Sequence, residues 1–399
     1  MAKQFTKDEW AKIRSELAKG PTRYGLPERT YGSAILGCFN IRKLGRVSRR
    51  NAETWQFLAQ ACRHFDLLAV QEIQDDLAGL RHLTELMGPE FDLIVSDKTG
   101  AFPGEAGLSE RLGYIFNRRT VRRTEVATDI TYDRSKVVST VYEHNVEIQR
   151  AFARCDSDLE AYALKLEDHK SGRRKTKPAK PFVKWPVFVS FIRAPYCVSF
   201  EISGHPGTEP YQFMAINAHL YYGKTMADRR QEFDAVMDWI RGRVTENDRA
   251  YYPNFVLMGD MNLDFDNPDT DRERIQEHLK SFNDASGKEV NVNFPFLTVH
   301  AGRDTVFRTN ARLTETFDQI GLFCRDERFP DYTKNATMEP GPDGRGPDYG
   351  VFDFVDLFSV ALKGKPASRL SKTAKADLIK RFEHKVSDHM PLWLRLPLP

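Results

Sequence analysis

The sequence predicts an α+β sandwich. Short apolar runs with strand character outnumber long helical patterns, and the strand–helix–strand alternation of the opening segment is not sustained. A doubly wound parallel sheet needs a helix after nearly every strand, which this chain does not supply. Its 399 residues admit one large domain or two ordinary ones, and a hydrophobic fraction of 41% excludes wholesale disorder.

Residues 6–19 read as an amphipathic helix, with Thr6 as N-cap, Trp10, Ile13 and Leu17 as its stripe, and Gly20-Pro21 as its stop. The stripe is expected to be a packing or oligomer element rather than a membrane binder, because the helix is short and mixed in charge. A linker completes residues 1–30, and residues 31–399 are expected to form the main domain. Ala34 to Phe39 is the first strand, ending at Asn40. Ser48 is a candidate cap for a helix carrying Trp55, Leu58, Ala59 and Cys62, and Leu67 to Val70 runs into Gln71-Glu72. Further strands are expected at Leu112–Phe116, Val187–Ile192, Cys197–Ile202, Phe213–Asn217, Phe255–Met258, Thr316–Phe323 and Leu392–Leu396, with a helix over Ala227–Arg243. Insertions fall near 120–184, 264–312 and 339–385. They include a basic run from Lys165 to Lys184, a polar segment with a helical pattern near 272–282, and a Gly/Pro-rich loop over 339–349.

The charge is nearly balanced, with 59 basic and 56 acidic side chains and a net +3, so net charge alone names no partner. The five cysteines are scattered and lack zinc or disulfide spacing. Without a signal-like N-terminus or a run of membrane-spanning length, the simplest expected setting is reducing and cytoplasmic.

Asn40, Glu72, Glu110, His219, Asp260, Asn262, Asp318, Asp388 and His389 all lie at or beside the ends of strand-like runs. Strand ends gathered at one sheet edge let distant residues converge on a cleft. Oxygen donors such as Glu72, Asp388 and Asn40 suit a hard cation, Mg²⁺ or Ca²⁺. Two histidines in one cleft can serve as general base and acid across a scissile phosphodiester, with Glu110 and Asp318 as carboxylates that orient them.

These fragments occur as Cys38-Phe39-Asn40-Ile41-Arg42, Val70-Gln71-Glu72-Ile73, Ser109-Glu110-Arg111-Leu112 and Asn217-Ala218-His219, followed by Leu257-Met258-Gly259-Asp260-Met261-Asn262, Phe317-Asp318-Gln319-Ile320 and Ser387-Asp388-His389-Met390-Pro391. In that order they resemble the endonuclease/exonuclease/phosphatase superfamily, and within it most closely deoxyribonuclease I. The resemblance implies a four-layered α/β sandwich of two packed mixed sheets flanked by helices. It also implies Mg²⁺, Mn²⁺ or Ca²⁺ dependence and hydrolysis of phosphodiesters by water. Carried over by position, Glu72, Asn40 and Asp388 take the metal. Asp260 orients or activates water, and Asn262 holds a phosphate oxygen. His219 with Glu110, and His389 with Asp318, form the imidazole–carboxylate pairs. Arg193 contacts phosphate, and Arg42 and Arg111 approach the nucleic-acid backbone.

The resemblance makes DNA the expected partner, without a membrane. It departs at Leu108 and Gln74, which stand where deoxyribonuclease I has a groove-packing tyrosine and a groove-reading arginine. The same fold with a phospholipid or inositol-phosphate substrate is the enzymatic rival. A non-enzymatic nucleic-acid binder is the other rival, although every matched position retains a competent side chain. The basic segment from Lys170 to Lys184, followed by Trp185, reads either as a phosphate-tracking strip or as a solvated loop.

Overall fold

The computed structural model describes residues 4–29, 32–74, 76–98, 109–131, 134–221, 226–245, 250–263, 273, 277–278, 280–281, 290–297, 299, 305–329 and 348–398. Two six-stranded mixed sheets form its centre. In the first, β1 (Ser33–Leu44) has β2 (Leu67–Ile73) parallel on one side and β12 (Leu392–Pro397) antiparallel on the other. Beyond β2 lie β4 (Arg111–Asn117) and β3 (Phe91–Val95), and beyond β12 lies β11 (Tyr349–Val351). The second sheet runs β5 (Val121–Asp129), β6 (Tyr196–Ile202), β7 (Tyr211–His219), β8 (Phe255–Asp260), β10 (Asp318–Cys324) and β9 (Asn291–Asn293). Its β7–β8 pair is parallel.

Strand alternation builds the layers. Phe213 and Ala215 of β7, with Val256 and Met258 of β8, join the first sheet's Leu36, Leu67, Ala69 and Tyr114 in one core between the sheets. Their neighbours Met214, Ile216, Phe255 and Leu257 point to the other face, where they meet Phe233, Val236, Met237 and Ile240 of the helix Met226–Thr245. A period of two on both strands against a helix stripe is the signature of a buried sheet covered on its outer side.

The first sheet is covered by the helices Ala52–Cys62, Ala78–Met87 and Phe354–Lys363, and by the N-terminal helix Lys7–Lys19. That last helix has the expected Thr6 cap, completed as a capping box by Glu9. Trp10 is wholly buried among the rings of Phe5, Phe57 and Phe358, so the stripe is a packing element of the main core. Arg381 of the helix Lys372–Lys385 clamps it, pairing with Glu9 at 2.7 Å over the Phe5 ring.

Several expectations need correction. Ser48 sits in a 3-10 turn, and the cap is Asn51, whose Oδ1 accepts from Thr54 N at 2.9 Å. Val187–Ile192 is not a strand: Phe188 and Phe191 are apolar because they pack beside the covering helix, and Pro186 and Pro195 bracket the stretch. The excursion after β4 begins only past Asp129, since Val121–Asp129 pairs with β6. It contains the helices Arg134–Glu143 and Asn145–Lys170. Residues 349–385 include β11 and two core helices, with Phe354, Phe358 and Phe382 buried. Leu108, most of the polar 264–312 segment and residues 339–347 lie outside the described residues.

The five cysteines are free and buried. Among the described residues, no helix is long and apolar enough to cross a membrane.

Candidate active site

Strand direction gathers the site. Parallel β1 and β2 carry Asn40 and Glu72 towards one edge, while antiparallel β4 and β12 start there, just after Glu110 and His389. In the second sheet, parallel β7 and β8 end in register at His219 and Asp260, and antiparallel β10 begins with Asp318 opposite Asp260. Gly259 permits the tight β7–β8 approach: its φ is +155°, and a Cβ there would stand 1.9 Å from the Ala218 carbonyl oxygen. Backbone strain collects at the same edge, where Lys43, Glu72 and Asn262 all have positive φ. The β1–β2 and β2–β4 ladders both shift register beside Glu72.

Asp260 is the hub. Its Oδ2 accepts from Asn40 Nδ2 at 3.0 Å and lies 3.7 Å from His219 Nε2 and 3.5 Å from His389 Nε2. Its Oδ1 accepts from Asn262 N at 3.0 Å. Behind each imidazole stands a carboxylate: Glu110 Oε2 is 3.3 Å from His219 Nδ1, and Asp318 Oδ2 is 2.8 Å from His389 Nδ1. Thus both sequence-derived pairs are assembled, and they flank one carboxylate.

The two histidines have opposite electrostatics. Burial, reinforced by Arg193, lowers the His219 pKa to about 4, so its ring is neutral near pH 7. Burial also acts against charge on His389, but Asp318 and Asp260 outweigh it and hold the pKa well above the ordinary imidazole value. The neighbours differ: Arg193, whose Nε meets Glu110 Oε2 at 2.9 Å, opposes charge on His219, whereas two carboxylates flank His389. Burial raises the Asp260 carboxyl, against the pull of His389.

These directions set the stability of the metal-free protein. Unfolded His219 takes up a proton as pH falls through about 6.5, whereas the folded ring resists to about 4. Its contribution, on the order of 3 kcal/mol, is therefore lost as pH falls across that window. His389 has the opposite sign: its contribution is complete below the unfolded value and declines as pH rises towards the folded one. Denaturant titrations across pH should show His219→Gln flattening the acid limb and His389→Gln flattening the alkaline limb. Unchanged limbs in both variants would contradict the protonation assignments.

On the other side of Asp260, the donors suit a hard cation. Asn40 Oδ1 and Asp388 Oδ1 are buried without a hydrogen-bond partner among the described residues. Glu72 presents a carboxylate whose Oε2 accepts from Lys43 N at 2.8 Å. Oxygen donors without protons to satisfy them are what Mg²⁺ or Mn²⁺ binds. Asp260, Asp318 and His389 also cluster within 4.8 Å. There, however, His389 holds a proton between two carboxylates, and a protonated imidazole is no ligand. Asn40, Glu72 and Asp388 offer oxygen donors alone, the chemistry a hard cation takes.

Arg193 belongs to the centre, donating from Nη1 to the carbonyl of His219 at 3.1 Å. Arg42 pairs with Asp388 at 3.2 Å and donates to the Glu383 carbonyl. Arg111 is turned to Ser96 O and Asp97 at 3.1 and 3.3 Å, away from the imidazole pairs. Asn262 is beside Asp260 with its Nδ2 donating to Leu220 O at 2.7 Å. Gln74 accepts from Arg49 at 2.6 Å.

Three positioning residues had no role assigned from sequence. Gln71 Nε2 donates to Asn217 Oδ1 at 2.6 Å, and Asn217 Nδ2 donates to the carbonyls of Val70 and Gly113, bracing one sheet against the other below the site. Asn217 lies two residues before His219 on one strand, hence on the same face, and that spacing was the available signal. Ser387 Oγ donates to Asn40 O at 2.7 Å and accepts from Arg42 N, tying the C-terminal motif to β1.

No protein-family model matches the chain, and no curated protein matches it. Among solved structures, it is similar to a mannosyl-6-phosphatase from Bacteroides thetaiotaomicron, with 12% identity over 91% of this chain and 98% of that one, and a TM-score of 0.46. An endonuclease/exonuclease/phosphatase family protein from the same organism has 12% identity over 92% and 98%, with a TM-score of 0.45. TDP2 from D. rerio, complexed with a single-strand DNA product, has 11% identity over 91% and 98%, with a TM-score of 0.44. With likenesses this distant, function is read from the site itself.

Proposed function

We propose that the chain is a divalent-metal-dependent endonuclease that hydrolyses phosphodiester bonds of DNA. The observation that carries this reading is the pair of imidazole–carboxylate couples set on either side of Asp260, with the His219 pKa lowered and the His389 pKa raised by their surroundings. Acid–base catalysis of a displacement at phosphorus requires one group that can accept a proton and another that can give one.

In this mechanism a water oxygen attacks phosphorus in line while neutral His219 accepts its proton. The bond from phosphorus to the leaving oxygen breaks, and that oxygen takes the proton from His389 Nε2. Asp260 orients the water, and Asp318 accepts from His389 Nδ1–H, which leaves the Nε2 proton as the one transferred. Arg193, and Asn262 through its amide, face the phosphate oxygens. Asn40, Glu72 and Asp388 would hold the cation, which when bound offsets the charge that develops on phosphate. Arg42 and Arg111 approach the flanking backbone in this reading.

Plasmid, linear duplex, single-stranded DNA and RNA incubated with Mg²⁺, Mn²⁺ or excess chelator test the proposal. Plasmid nicking with either ion, abolished by chelator, is expected. Full activity in chelator would remove the cation from the mechanism, and no cleavage of any nucleic acid with any ion would end the nuclease reading.

A further inference from the structure

Between Asp168 and Glu201 the sequence carries no acidic residue, while Lys170, Arg173, Arg174, Lys175, Lys177, Lys180, Lys184 and Arg193 all fall within it. This segment is the return arm of the helical excursion, and the sheet fixes its position. The excursion leaves β5 at Asp129 and re-enters β6 at Tyr196, two residues that pair with each other. Tyr196 in turn pairs with Asn217, two residues before His219. Both ends of the excursion therefore meet the sheet at its catalytic edge.

The arm has no helix or strand from Ser171 to Pro195, yet it is anchored. Val183 is buried against Ala151 and Cys155 of the helix Asn145–Lys170, and Trp185 meets Phe152 edge to face at 5.6 Å. The chain thus doubles back along that helix before Ile192 N donates to Glu232 and Arg193 enters the site. Arg173 is neutralised by Asp168 at 2.9 Å. Lys175, Lys177, Lys180 and Lys184 are exposed and form no ion pair among the described residues. Trp185 remains 42% exposed beside them.

We propose that residues 173–185 are a track for a single-stranded nucleic acid, whose phosphates meet Lys175, Lys177, Lys180 and Lys184 and one of whose bases stacks on Trp185. Unpaired cations in an acid-free strip supply the sequence-independent attraction to a phosphate backbone. An exposed indole among them adds the stacking that distinguishes a single strand from a duplex, where base faces are already covered. Continuity with Arg193 makes the strip an extension of the catalytic edge. The track deepens the nuclease reading by naming its preferred substrate form, and it rests on that reading only for the cleavage that would follow binding.

The test measures binding of a fluorescent oligothymidylate to the full chain in chelator, so that cleavage plays no part. Combining Lys175→Ala, Lys177→Ala and Lys180→Ala is expected to raise Kd at least about tenfold and to reduce the steepness of the log Kd against log salt plot by about 2. Trp185→Ala is expected to weaken single-strand binding roughly fivefold or more while leaving duplex binding unchanged. Turnover of bis(p-nitrophenyl) phosphate by the triple variant should match the parent, showing that the fold and the centre are intact. Unchanged oligonucleotide affinity and salt slope in the triple variant would overturn the proposal. So would binding of the parent to phosphatidylserine vesicles but not to the oligonucleotide. If the arm variants lose binding but the parent cleaves nothing with any metal, the track stands and the nuclease assignment falls. Cleavage with unaltered binding in the variants gives the reverse.

Discussion

His389→Ala is expected to lower phosphodiester turnover by about 10²-fold or more, with KM much less affected. His389 is the proton-carrying member of the site: Asp318 and Asp260 both raise its pKa against the effect of burial. Its removal takes away the acid for the leaving oxygen and leaves Asp260 and Asp318 facing each other without a cation between them. A drop confined to kcat in steady-state assays with Mg²⁺ would support the role. Parental turnover in the variant would remove His389 from the mechanism. His219→Ala should cost a similar factor, but through loss of the proton acceptor, so the two pH–rate profiles should lose opposite limbs.

Asp318→Asn is expected to reduce turnover on the order of 10²-fold to 10⁴-fold while leaving the fold in place, as loss of an orienting carboxylate does in a hydrolase triad. Asp318 is fully buried, and its backbone N donates to Thr309 Oγ1 at 3.1 Å, so an isosteric amide can keep the geometry. What changes is the acceptor at His389 Nδ1, 2.8 Å away. An amide can present a donor there, which reverses the tautomer, and it removes a charge that stabilises the imidazolium. NMR titration of the His389 ring gives a readout independent of activity: its pKa should fall in the variant. An unshifted ring would mean that Asp318 is not the partner that matters.

Much of this arrangement was legible in the sequence because strands report themselves by period and by the polar residues at their ends. Ala34–Phe39, Phe213–Asn217 and Phe255–Met258 were apolar runs with polar residues at their ends. The last two lie in strands that end at His219 and Asp260, and the first lies in a strand that runs past Asn40 to Leu44. Asp318 and His389 were found for the same reason. Three of the missed strands lack that signal. In β5 (Val121–Asp129), several residues face solvent at the sheet edge and are polar. β11 and β9 have only three residues each, too few to show alternation. The converse error, at Val187–Ile192, arose because Phe191 is buried and Phe188 half-buried by a helix layer without any strand ladder. Composition reports burial, and only pairing reports a strand. The opposite protonation of the two histidines was likewise hidden, since it depends on burial and on Arg193 beside His219.

The neck of the helical excursion has a further consequence. Ile130 N donates to the Pro195 carbonyl at 2.7 Å, closing the base of everything between them, and regular pairing resumes at Tyr196 as if the chain had made a hairpin. To the sheet, the length of what hangs beyond that closure is nearly immaterial, because loop-closure entropy grows only with the logarithm of length. The neck is thus a splice point. An appendage of any size can be gained or exchanged there, provided Arg193 at its return end is kept, while the strands that carry His219 and Asp260 keep their register. Recognition can therefore evolve as a cassette on a chemical centre that does not move.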